Sequence, residues 1–565
     1  MTSGIRHGIK IGAKFAAMKT ILQSDPLSRN TSNNIKGSRL SVSTVETVGD
    51  ILDYLNPSVR TSVEIAWPPD AFAIAASLLK RSGAYREVAN TWPPAEYTDT
   101  TAWQQAIEKI ADEWRNSCDA NSATMPAQVK TWWKVVLTHL SIPVAKICDT
   151  RDLFIALVGI VAACDAACAG FGFRSSGAMS EKEGRANANL SIDKTLCESI
   201  HSSRCAVLPK AHNPFTGMTL RSLTHNIALW DRPEVVGSWE NIRLDIPDRE
   251  MNLLLVPWPM TIDPAAFHPA ADCHNLRLPD RVGLFDYDIP FSDSDIDKIE
   301  NLLRAAQKAV GDIHGVVLPE LAMTPEQFSK LRVRIQDNFK VPLIVSGVGG
   351  ANSDRLGANN VAISVHAELD EPYLQSKHHR WRIDEQQANS YALSKLPPRK
   401  DNGAWWEGIQ IENRSCIFFN ANDWLTFCVL ICEDLARQDP VSELVRSVGP
   451  TLVIALLLDA AQVPARWPDR YATVLAEDPR SSVLTLTAAG MVDLANRVGG
   501  YEDRSIALWR EAFQGASRPI PLEPGAEGVV LKLGSKMSKE WTADGRHDDQ
   551  ATGYLSLLDL TQIKP

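Results

Sequence analysis

Between Arg249 and the C-terminus the chain gathers apolar residues into short unbroken runs: NLLLVPWP, VPLIVSG, WLTFCVLIC, GPTLVIALLLDAA and SSVLTLTAAG. Each is shorter than an ordinary helix and lacks the alternation of a strand with one wet face. Such runs suit strands covered on both sides. Covering them requires helices between them. The segment SDSDIDKIENLLRAAQKAVG supplies one, with Ser294 as the expected cap and Asp297 three residues on. Its Ile296, Ile299, Leu302, Leu303, Ala306 and Val310 fall on one face before Gly311. Strands and helices therefore alternate, which predicts an α/β class for residues 249–565.

The first part reads differently. Residues 1–45 are polar and rich in Ser, Thr and Asn, and are expected to be a flexible lead-in. Residues 46–248 read as a mostly helical domain of unknown role. Trp103, Ile107, Ile110 and Trp114 recur on one helical face, and TWWKVVLTHL and MTLRSLTHNIAL repeat that rhythm. The run LFIALVGIVAACDAACAGFGF from Leu153 is long enough to span a bilayer but holds Asp165, so it is read as a buried helix. The N-terminal stretch MTSGIRHGIKIGAKFAAMK breaks its apolar residues with Lys10 and Lys14, unlike a secretion signal. Ten cysteines without a CxxC pair describe neither a disulfide framework nor a zinc site, and a reduced, cytoplasmic setting is expected. A net charge of -10 offers no electrostatic footprint for nucleic acid.

Three polar residues close apolar runs: Glu320 in VVLPEL, Lys377 in PYLQSKHH and Cys432 in LICEDLAR. The carboxyl edge of an α/β sheet is where such side chains converge. Their chemistry is complementary. A thiol needs a base to become a nucleophile, and a carboxylate supplies one. An ammonium group then faces the oxyanion formed when sulfur attacks a carbonyl or nitrile carbon, and the backbone N–H of Glu433 offers a second donor.

These residues and their order resemble the nitrilase, or carbon–nitrogen hydrolase, superfamily. The likeness extends to the helix before HGVVLPEL, the hairpin NNVAISVHAELDEPYLQSKHH, and the later GPTLVIALLLDAA, RYATVLAEDPRSSVLTLTAAG and YLSLLDL. ICED is similar in wording to glutaminase domains of NAD synthetases, whereas no SGGxDS-like nucleotide loop accompanies it. The resemblance implies a four-layer αββα sandwich preceded by the helical domain, and a covalent acyl-enzyme. It also implies a small amide or nitrile substrate, no cofactor or metal, and a homo-oligomer. Glu407 in WWEGIQIENRS stands where the family places a second glutamate that orients the lysine, with Glu385 and Glu412 as lesser candidates.

Other readings stand beside this one. Lys395, in YALSKLPPR, rivals Lys377. Trp381 is either a pocket wall or a packing residue, and Asp459 in LLLDAA either lines the pocket or makes a turn. Glu433 either faces substrate or marks a helix start, and Asp434 and Arg437 have the spacing of a local pair. His378 and His379 point to opposite faces if they lie on a strand, which disfavours a joint metal site. An amine acceptor in place of water would make the protein an acyltransferase. Alternatively the fold serves as a sensing module whose helical part contacts a protein partner. KHHRW and ICEDLAR also resemble nitrilase-like domains joined to reverse transcriptases in bacterial antiviral systems. No GxSxG elbow, phosphate loop or HExxH motif is present.

Overall fold

The computed structural model describes residues 45–119, 122–173, 180–212, 217–244, 246, 249–270, 278–351, 356–366, 371–512, 515–548 and 553–565. The expected lead-in as far as residue 44, and residues 367–370 of the quoted hairpin, lie outside them. Residues Glu46–Pro565 form one compact unit. It is a mixed α/β structure with helices concentrated toward its N-terminal part.

Two seven-stranded sheets organise the rest. The first has the order Tyr373–Ser376, Ala358–Val365, Leu343–Gly350, Gly315–Val317, Glu250–Leu255, Gly528–Ser535 and Leu555–Ile563. The second runs Ser517–Pro521, Ser505–Arg510, Ser482–Thr487, Leu452–Leu457, Thr426–Ile431, Ser415–Asn420 and Val236–Asn241. Every residue of Thr426–Ile431, Leu452–Leu457 and Ser482–Thr487 is buried, as two-sided cover requires. These three central strands are parallel.

Alternation along the first sheet divides its two faces. Leu254, Val316, Ile344 and Val530 share a core with Ile299 and Leu303 of helix Asp293–Val310 and with Phe328 and Leu331 of helix Pro325–Phe339. The intervening Leu253, Leu255, Val317 and Val345 join a core with Val429, Ile431 and Val453 of the second sheet. Gln375 ties the sheets further: it donates to the Val429 carbonyl at 2.8 Å and accepts from the Ile417 N–H at 2.8 Å. Helix Trp467–Glu477 packs on the strands Ser482–Thr487 and Ser505–Arg510 of the second sheet.

Three local expectations are corrected. The helix Asp293–Val310 is capped by Ser292, two residues before the expected cap. Asp295 accepts from the Ser292 N–H at 2.8 Å and from its hydroxyl at 2.7 Å, while Asp297 pairs with Arg334 of the adjacent helix at 2.8 Å. MTLRSLTHNIAL is not a helix but a short 3-10 turn, Leu220–Leu223, and a strand, Ile227–Trp230. The reason is Asp165, whose carboxylate takes the N–H groups of His225, Asn226 and Ile227 that a helix would have used. Finally, Val236–Asn241, on the N-terminal side of residue 249, pairs in parallel with Ser415–Asn420, so the second sheet draws a strand from before the expected boundary.

Helix Arg151–Ala167 is buried, and Asp165 within it also receives Arg546 at 3.1 Å. Among the described residues no helix is long and apolar enough to cross a membrane.

Candidate active site

Glu320 lies just beyond strand Gly315–Val317, on a turn clamped to the neighbouring strand. The Gly347 N–H donates to the Pro319 carbonyl at 3.0 Å, and the Ala322 N–H donates to the Gly347 carbonyl at 3.0 Å. A Cβ on Gly347 would stand 2.5 Å from the Glu320 Cα, so only glycine permits this approach. Lys377 follows the edge strand Tyr373–Ser376, and its N–H donates to the Asn359 carbonyl at 2.9 Å. Glu407 ends strand Ala404–Glu407 and accepts from the Trp381 N–H at 3.0 Å.

The side chains converge. Lys377 Nζ donates to Glu320 Oε1 and to Glu407 Oε2, each at 2.7 Å. Asn359 Nδ2 spans the same carboxylates, at 2.8 Å to Glu320 Oε1 and 2.7 Å to Glu407 Oε1. All four side chains are buried. Glu320 Oε1 is thus occupied twice, whereas Oε2 is buried and meets no protein donor among the described residues. Lys395 is exposed, as are Glu385 and Glu412. The lysine that meets Glu320 is Lys377, and the second glutamate that shares this lysine is Glu407.

Cys432 stands between strand Thr426–Ile431 and the short helix Glu433–Ala436, with φ 46° and ψ −106°. A non-glycine residue there carries about 1–3 kcal/mol of backbone strain. Its N–H is held by the Leu456 carbonyl of the next parallel strand at 2.9 Å. Burial raises the thiol well above its ordinary range; the Glu320 charge adds to this and Lys377 opposes it. The sulfur therefore rests protonated, within the fields of both partners. Burial likewise raises Glu320, against the pull of Lys377 and with help from the Glu407 charge. Burial disfavours the Lys377 ammonium, yet the two carboxylates hold it protonated well above the usual lysine range. The arrangement pairs a carboxylate made more basic with a proton-bearing thiol and a fixed cation.

The remaining sequence candidates divide. Trp381 lines a cavity of about 20 Å³ with Glu320 and Glu407, room for roughly one water. It also packs edge-on against Phe267, Phe285 and Tyr391. Asp459 is buried and accepts from Tyr391 Oη at 2.7 Å and Arg466 Nη2 at 3.0 Å. Glu433, not Asp434, pairs with Arg437, at 2.8 Å. Asp434 is instead fully buried and accepts from the His378 N–H at 3.1 and 3.0 Å and meets His379 Nδ1 at 3.0 Å. It joins the cysteine turn to the backbone just after Lys377. His378 Nε2 meets the Ser415 carbonyl at 2.8 Å.

Sequence reasoning missed Asn359 as a bridge and Asp434 as an anchor. Asn359 was visible only as the residue opening a strand, and nothing local announces a partner of Asp434 fifty-six positions away.

No protein-family model matches the sequence, and no curated protein matches it. Over about half its length the chain is similar to solved structures of the nitrilase superfamily. An amidase from Nesterenkonia sp. is 13% identical, with 51% of this chain and 92% of that one covered and a TM-score of 0.31. Nit3 of Saccharomyces cerevisiae, a member of branch 10 of that superfamily, is 13% identical over 56% of this chain and 91% of its own, TM-score 0.28. The glutamine-dependent NAD+ synthetase of Acinetobacter baumannii is 13% identical over 50% of this chain and 45% of its own, TM-score 0.30.

Proposed function

We propose that the protein is a nitrilase-type carbon–nitrogen hydrolase, its two sheets and flanking helices forming a four-layer αββα sandwich, that cleaves a small amide or nitrile through Cys432. One observation carries this reading: a buried ammonium, Lys377, held at 2.7 Å by each of two buried carboxylates, with the strained Cys432 thiol in the field of Lys377 and Glu320. A structural ion pair needs one partner for its lysine and no strained cysteine beside it.

In the proposed reaction on an amide, Glu320 takes the thiol proton as Sγ bonds to the carbonyl carbon. Lys377 and the Glu433 N–H face the resulting oxyanion. Glu320 passes its proton to the leaving nitrogen, the C–N bond breaks, and ammonia or an amine departs. Water then gives a proton to Glu320 as its oxygen attacks the thioester, and the thiolate leaves and recovers that proton. Glu407 and Asn359 keep Lys377 in place throughout.

The test pairs wild type with Cys432→Ala, using iodoacetamide labelling read by peptide mass and ammonia release from a panel of simple amides and nitriles. Labelling at Cys432 with ammonia release that the variant lacks is expected. Release of ammonia at equal rates by both proteins, or by neither, would overturn the reading.

A further inference from the structure

The parallel strands Thr426–Ile431, Leu452–Leu457 and Ser482–Thr487 deliver Cys432, Asp459 and Thr487 to one sheet edge. Asp459 is fixed there through its backbone: its N–H donates to Thr487 Oγ1 at 2.9 Å, and the Thr487 hydroxyl donates to its carbonyl at 2.6 Å. Its carboxylate is asymmetric. Oδ1 takes Tyr391 and Arg466, while Oδ2 is buried and meets no protein donor among the described residues. A buried carboxylate oxygen left without a donor is costly and calls for a partner.

The surroundings say where that partner comes from. Leu458 lines the small cavity shared by Glu320 and Glu407. Ala460, Ala461, Tyr391 and Arg466 line a second cavity of about 550 Å³. The residues on either side of Asp459 thus line two cavities, Leu458 the one at the reacting groups and Ala460 a space large enough for the rest of a small molecule. Arg466 is not free to supply the missing contact, since its Nη1 is held by the Ala461 carbonyl at 2.8 Å and its Nη2 by Asp459. Charge favours a cation: Glu320, Glu407 and Asp459 outnumber Lys377 and Arg466, and Asp503 adds another carboxylate to the lining of the larger cavity.

We infer that Asp459, set in place by Tyr391, Arg466 and Thr487, receives an amino group on the acyl part of the substrate, so that the protein takes amino-bearing amides in preference to plain alkyl amides. This inference rests on the hydrolase reading. Arg466 and Tyr391 are positioning residues that aim the carboxylate; Asp459 touches the substrate.

The experiment uses ω-amino amides from glycinamide to 5-aminopentanamide, each against the alkyl amide in which a methyl replaces the ammonium. Calorimetric binding to Cys432→Ala is expected to favour the amino member of at least one pair by about tenfold or more. Adding Asp459→Asn should erase that preference. Equal affinity within every pair, a preference that survives Asp459→Asn, or no binding of any amide overturns the inference. The comparison within Cys432→Ala decides the matter even if the double variant does not fold. Preferential binding without turnover by wild type would remove hydrolysis and keep the recognition site. Turnover of both members of every pair at equal kcat/KM would keep hydrolysis and remove the site.

Discussion

A single amide side chain, Asn359, holds two carboxylates that would otherwise repel each other, and Lys377 completes the set from the other side. The pair Glu320 and Glu407 is therefore electrostatically linked, and the link has a sign. The Glu407 charge helps keep the Glu320 carboxyl protonated to higher pH. A general base works above its own pKa, so wild-type kcat/KM should fall with acidification at a pH above the ordinary glutamate value of about 4.3. Glu407→Gln removes one negative charge, lowers the Glu320 pKa and moves that acidic limb to lower pH, alongside a reduced kcat from the loosened lysine. A pH–rate profile of the two proteins on one amide checks this, and an unmoved limb would contradict it. At this scale Glu320, Lys377 and Cys432 stood out in the sequence because each ends an apolar run, and Glu407 stood out only through the family resemblance. Asp434 was not. Helical spacing suggested Arg437 as its partner, but a helix of only Glu433–Ala436 leaves that pairing to Glu433 and buries Asp434 against another segment.

Elements follow the same logic at longer range. The unbroken apolar runs were readable as strands because two-sided burial leaves no polar alternation, and every run quoted for a strand overlaps one. MTLRSLTHNIAL failed as a helix because its N–H groups are claimed by Asp165, a residue sixty positions earlier that no local pattern reports. The cysteine turn and the lysine loop are coupled by a comparable long-range contact, Asp434 to the His378 N–H. Asp434→Ala leaves that buried N–H without its acceptor, a loss of about 1–3 kcal/mol in chemical denaturation. It should also lower kcat while iodoacetamide still labels Cys432, because the thiol stays and the ammonium loses its support. Unchanged kcat in the folded variant would show that the loop keeps its position alone.

The unit Glu46–Pro565 is held across its length by buried charge. Arg546, near the C-terminus, meets Asp165 at 3.1 Å, Asp544 at 2.9 Å and the Leu223 carbonyl at 2.7 Å, with all three side chains inside. Removing the guanidinium strands two carboxylates, so Arg546→Ala should cost about 3–5 kcal/mol in equilibrium unfolding. A loss below about 1 kcal/mol would mean that water reaches the cluster. The strand Val236–Asn241 carries a further consequence. It covers the outer side of Ser415–Asn420, leaving that strand no open hydrogen-bonding flank. A piece cut to begin at Arg249 would bare this flank to other copies of itself. It should therefore precipitate or oligomerise on size-exclusion chromatography, while a piece beginning at Glu46 stays dispersed. Strand Val236–Asn241 thus acts as a built-in stopper against self-templated stacking, and the residues from Arg249 onward are expected to fail as a free-standing module.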